Sequence, residues 1–158
     1  MGSHYNELGI AKDLIAKGEY SGASKYLNLL VAQRVPEALF WASTFSSSAE
    51  ETDSQFEERS FRMLKESAEL GYLPAMYALA SCYEAGDLVE QSDVMATEWY
   101  GVAANLGDIR AKFRYGLALL EGVGAPRDMT LGAKLIREAA ESGVEGAKEV
   151  VEKLRDQP

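Results

Sequence analysis

Cysteine and histidine are nearly missing from this chain, which has one of each, Cys82 and His4. A lone cysteine permits no internal disulfide, so nothing points to an oxidising compartment. Cys82 reads as a small apolar side chain within a helix, since no native imidazole is there to activate its thiol. His4 falls in the stretch Met1-Gly2-Ser3-His4, which looks like an expression-tag remnant and is set aside from the fold. Removing it excludes the Ser-His and Cys-His nucleophile pairs. There is no CxxC, no HExxH and no glycine-rich phosphate loop following a strand. Gly122-Val123-Gly124 imitates such a loop only superficially, and the repeat frame below explains it as a helix end and a turn. Carboxylate neighbours such as Glu57 and Glu58 are inevitable among 25 acidic residues. The expectation is a non-enzyme with no cofactor and no metal.

Long apolar runs are absent as well, and none approaches the roughly 20 residues needed to cross a bilayer. Positive charge is scarce in the middle of the chain. Residues 51–100 hold 3 basic and 11 acidic side chains, against 4 and 5 in residues 1–50 and 9 and 9 in residues 101–158. Eight of the nine excess negative charges therefore lie in one third of the sequence. Proteins that meet phosphates through lysine and arginine carry the opposite bias, which argues against direct nucleic-acid or anionic-membrane binding.

What the chain does have is 47% hydrophobic residues over 158 positions, enough for one domain with a sizeable core. It also has a ruler. Ala68, Ala104 and Ala140 are spaced 36 apart, as are Gly71, Gly107 and Gly143, and Ala75, Ala111 and Ala147. Self-similarity at this period marks stacked helical hairpins. Apolar periodicity predicts helices over 5–17 and 21–33, then 37–46 opened by Pro36, and 54–70 after a polar connection at 46–53. The next hairpin opens at Pro74, with Gly86 closing its first helix and Ser92 capping its second. The third copy repeats this with Gly122 and Asp128, because serine and aspartate oxygens accept the orphan N–H groups of a first turn. The frame yields a degenerate hairpin at 5–34, repeats at 37–71, 75–107 and 111–143, and a polar capping helix at 145–156.

The slots that recur carry a family. Ala75, Leu79, Tyr83, Gly86, Ala96, Trp99-Tyr100, Ala103-Ala104 and Gly107 in one copy, and Ala111, Gly116, Gly122-Val123-Gly124, Asp128, Ala139-Ala140 and Gly143 in the next, resemble the Sel1-like repeat. That family is a longer-period relative of the tetratricopeptide repeat. The resemblance spans roughly residues 36–147. It implies an all-α, right-handed α-α superhelix of three to four hairpins, and a non-enzymatic adaptor with a groove for a protein or peptide. Some bacterial members act as regulators, others as small immunity proteins that block a cognate secreted toxin. A basic toxin is therefore the alternative partner here. The expected location is cytoplasmic, or periplasmic if a leader once preceded Tyr5.

Two sets of residues are candidates for partner contact. Three positions after the repeat alanine, the first helices carry Trp41, Ala78 and Arg114, and Phe45 lies four beyond Trp41. Aromatic residues and arginine dominate binding energy at interfaces, so Trp41, Phe45 and Arg114 are a candidate anchor strip. Alternatively, Trp41 and Phe45 pack against the first hairpin, and Arg114 pairs with a nearby carboxylate. The second set is acidic: Glu50, Glu51 and Asp53 in one hairpin connection, Asp87, Glu90 and Asp93 in the next. Stacked turns would gather these six into a rim that draws in a basic partner, or that simply keeps the edge solvated.

Overall fold

A computed structural model describes residues 2–46, 48 and 50–155. Met1 of the presumed tag, Ser47 of the polar connection and Asp156 of the expected capping helix lie outside the described residues. The described chain is all-α, with helices α1 (Gly2–Ala16), α2 (Tyr20–Ala32), α3 (Pro36–Ala42), α4 (Asp53–Glu69), α5 (Leu73–Ala85), α6 (Asp93–Asn105), α7 (Ile109–Glu121), α8 (Met129–Glu141) and α9 (Ala147–Arg155). Two compact units divide it, residues 1–75 and 76–158, and α5 carries the boundary. Gly2 to His4, set aside as a tag, continue α1 in the structure.

In the first unit the core is made by Leu8 and Ala11 of α1, by Ala23, Leu27 and Leu30 of α2, and by Ala38 and Phe45. The spacing 23, 27, 30 places three side chains on one helical stripe, which is why α2 buries a single face. Serines stitch the next two helices together. The Ser67 hydroxyl donates to the Pro36 carbonyl (2.6 Å), and that of Ser60 donates to the Ser43 carbonyl. Thr52 caps α4 through a full capping box with Gln55.

α3 ends earlier than its sequence suggests. It stops at Ala42, four residues short of the expected end, because Ser43 and Thr44 turn their hydroxyls back onto the carbonyls of Phe40 and Trp41, each at 2.7 Å. Such local bonds offer the backbone an alternative to the helical ladder. Phe45 therefore stands beyond the helix, not upon it.

In the second unit, Ile136, Ala139 and Ala140 of α8 and Ala147 of α9 form a buried cluster. α7 and α8 touch backbone to backbone. A Cβ on Gly132 would lie 2.8 Å from the Gly116 carbonyl oxygen, and one on Gly116 would lie 2.7 Å from Ile136 Cγ1. One repeat earlier these slots hold Ala80 and Ala96, both buried. Small side chains at matching positions thus set how closely each helix pair approaches.

One helix ending recurs through the chain. α1, α2, α4, α6 and α8 finish on a left-handed residue, and the next N–H returns to a carbonyl five positions back, as in Tyr72 to Ser67, Asp108 to Ala103 and Val144 to Ala139. The left-handed residue is glycine in four of these; at the end of α2 it is Arg34, with φ 55°. A second left-handed slot follows the first helix of each later repeat, filled by Leu88 (φ 63°) and, 36 residues on, by Gly124 (φ 68°). Gly124 lies so close to the start of α6 that a Cβ would overlap the Asp93 carbonyl oxygen at 2.1 Å.

Candidate functional site

The face shared by α5 and α7 departs from the repeat. Tyr77, Ser81 and Glu84 follow one another at helical spacing on α5, as do Arg110, Arg114 and Glu121 on α7, so each set occupies one stripe of its helix. In the following copy the slots of Ser81, Glu84 and Tyr100 hold Leu117, Leu120 and Ile136. Polar groups have entered positions that a neighbouring repeat gives to its core.

These groups bind one another. The Tyr100 hydroxyl donates to Glu84 Oε2 (2.9 Å) and lies 3.0 Å from Ser81 Oγ. Arg114 Nη2 pairs with the same Glu84 oxygen, and its guanidinium carbon lies 5.8 Å from the centre of the Tyr100 ring. Tyr77 packs on Tyr100 with ring centres 5.5 Å apart, and Arg110 lies over Tyr77 at 4.2 Å. The result is a ladder of two tyrosines packed together with an arginine at each end. Arginine favours such sites because its flat, weakly hydrated cation stacks on rings.

Burial is uneven across the ladder. Tyr100 is 2% exposed, whereas the Arg110, Arg114 and Glu84 side chains are 58%, 37% and 39% exposed. Burial, more than any other cause, pushes the Tyr100 phenol up to about 12; Ser81 opposes the shift and Glu84 adds to it. The hydroxyl therefore stays a donor near neutral pH. The hydrogen bond from Arg114 to Glu84 raises the arginine further, outweighing its partial desolvation. A pair this exposed adds little stability by itself. Its effect is to hold the guanidinium in one place.

Beside the ladder lies a cavity of about 160 Å³. Its polar lining comes from Glu84, Asp93, Thr97, Tyr100, Arg114 and Glu121, and its apolar wall from Ala96, Leu117, Ala118 and Val123. The Thr97 hydroxyl donates to the Val123 carbonyl (3.1 Å), fixing the turn that carries Gly124 along one side.

Of the residues singled out from sequence, Arg114 and Asp93 meet at this cavity. Asp87 and Glu90 are exposed on the connection between α5 and α6. The first unit holds the others. Phe45 is 7% exposed and stacks on Tyr20 at 5.1 Å, so it takes the packing alternative. Trp41 is half-buried against the same core, with Lys12 over its ring at 5.6 Å and its indole N–H buried without a hydrogen-bond acceptor. Glu50 and Asp53 are exposed, but Glu51 is not an open carboxylate. Its side chain is 10% exposed and held by Arg59 through Nε (2.6 Å) and Nη2 (3.1 Å). Cys82 is half-buried, and burial together with the charge of Asp87 raises its thiol, keeping it protonated.

Sequence reading missed Tyr77, Ser81, Glu84, Tyr100 and Arg110 as a group. The signal was present, in the mismatch between Ser81, Glu84 and Tyr100 and their counterparts Leu117, Leu120 and Ile136. No helix among the described residues is long and apolar enough to cross a membrane.

Residues 73–108 and 109–144 each match the Sel1 repeat model. A Sel1 repeat protein from Oxalobacter formigenes superposes with TM-score 0.72 at 26% identity, over 80% of this chain and 95% of that one. A protective antigen of uropathogenic Escherichia coli with an SLR fold gives TM-score 0.76 at 20% identity, over 90% of this chain and 31% of the antigen. Helicobacter pylori cysteine-rich protein B gives 0.58 at 19%, over 89% and 93%. These last two likenesses speak to fold alone. Chitin synthase regulatory factor 3 of Schizosaccharomyces pombe is 27% identical over 152 residues, 94% of this chain, which spans only 16% of that protein's length. The two 36-residue segments match the Sel1 repeat, and together with the solved structures of like fold they support a helical repeat architecture of the Sel1-like kind.

Proposed function

We propose that this chain is a non-enzymatic protein-interaction module that takes a protein or peptide partner on the face built by α5 and α7. The observation carrying this reading is the ladder of Arg110, Tyr77, Tyr100 and Arg114, braced by Ser81 and Glu84, where the next repeat holds isoleucine in place of Tyr100 and leucines in place of Ser81 and Glu84. Arg110, Arg114 and Tyr77 are partly exposed over the buried Tyr100 and already held in place, so they lose little conformational freedom when a partner lands on them. The fission-yeast relative is named as a regulatory factor, in keeping with an adaptor role.

The test is selection of a random peptide library displayed on phage against the immobilised protein. Binders should emerge, and the double variant Tyr77→Ala/Arg110→Ala should weaken them at least about tenfold while keeping the helical circular-dichroism spectrum. Failure to select any binder, or binders indifferent to the double variant, overturns the reading. The acidic excess of residues 51–100 favours a second one, an immunity protein that occludes a basic secreted toxin. A toxin gene adjoining this one, whose product the chain neutralises in growth assays, would separate it from a general adaptor.

A further inference from the structure

We infer that the cavity beside the arginine–tyrosine ladder receives a lysine or arginine side chain of the partner. The inference rests on the proposed interaction role and adds the chemistry of its recognition. The cavity is amphipathic. Ala96, Leu117 and Ala118 line one part with apolar groups, while Glu84, Asp93 and Glu121 supply three carboxylates against the single cation of Arg114. Three acids and one base leave the lining with two excess negative charges.

These carboxylates are not equivalent. Glu84 is committed to Tyr100 and Arg114. Asp93 and Glu121 are exposed, and neither figures among the ion pairs of the described residues. A neutral or anionic side chain entering here would meet uncompensated negative charge. A purely apolar one would fill the wall and strand the carboxylates. Lysine and arginine satisfy both parts, since each has an apolar stem that lies along hydrocarbon and a charged tip that stays among acceptors. A volume of about 160 Å³ is several times what one water needs and suits a single long side chain. Asp87 and Glu90, exposed nearby in sequence on the connection into α6, add attraction of the same sign.

The experiment is a heteronuclear NMR titration of the whole chain with three small probes: N-acetyl-lysine methylamide, N-acetyl-arginine methylamide and N-acetyl-norleucine methylamide. Saturable shifts of the Thr97, Ala118 and Val123 methyl signals are expected with the lysine or arginine probe, at least about fivefold stronger than with norleucine. Comparison of the first two probes decides which cation the site prefers. Glu121→Gln and Asp93→Asn, both at exposed positions, should each reduce that preference without altering the rest of the spectrum. Equal response to norleucine, no saturable response, or an unchanged preference in both variants overturns the inference. Selected phage peptides that depend on Tyr77 and Arg110 but lack any basic residue would sink this inference while leaving the interaction role standing.

Discussion

Tyr100 shows how much one side chain changes the chemistry of a repeat slot. Ile136, its counterpart, fills the same position with hydrocarbon and is fully buried. Tyr100 puts a larger phenol ring there, with a hydroxyl that must find partners, which Ser81 and Glu84 provide. Because the phenol is raised from about 10 to about 12 on folding, the folded chain retains a proton that the unfolded chain has lost between those values. Stability from this group is thus complete below pH 10 and fades as pH rises toward 12. Denaturant unfolding of wild type and Tyr100→Phe across pH 8 to 11.5 should show a steeper decline in the wild type. Parallel decline in both proteins would mean the phenol ionises no differently when folded.

At the scale of the helix, ends and caps decide more than interiors do. Ser92 and Asp128 were legible as caps because a short oxygen-bearing side chain preceded an apolar run, and their side chains accept from the N–H groups of Met95 and Leu131. The left-handed residue after α2 was not legible in the same way, although the helix end itself was expected within a residue of where it falls. Arg34 occupies the left-handed slot that glycine fills in Gly71, Gly107 and Gly143, so the 36-residue ruler loses its mark there. Nor was the early stop of α3, since its cause is hydroxyl competition by Ser43 and Thr44, while the apolar pattern runs on to Phe45. The Glu84–Arg114 pairing was hidden for a different reason: its partners are 30 positions apart, and only the packed helices choose between several available acids. The capping box of α4 offers a clean measurement. Thr52→Ala removes the acceptor for the Gln55 N–H and should cost about 1 kcal/mol, read as a lower denaturant midpoint with unchanged slope. A midpoint within error of wild type would show that α4 is held by packing alone.

For the molecule as a whole, charge is the property that sequence and structure describe in the same terms. Asp87, Glu90 and Asp93 lie exposed within one connection and one helix start, in the third of the chain that holds nearly all the excess acid. With a basic binding partner, changing all three to lysine should slow association several-fold and flatten its dependence on salt, as followed by stopped-flow or surface plasmon resonance. Identical association rates across 25–300 mM salt in both proteins would show that long-range attraction has no part in the encounter.

Arg59 gives the first unit a vulnerability that its other helix connections do not share. One guanidinium reaches the carbonyls of Ala42 (2.8 Å) and Phe45 (2.9 Å) and the carboxylate of Glu51, tying the end of α3 to the approach to α4. Elsewhere the chain reverses on left-handed residues and returning backbone bonds, a construction that survives most side-chain changes. Here the closure depends on a planar fork with several donors, which lysine cannot imitate. A single codon therefore controls whether that crossing stays shut.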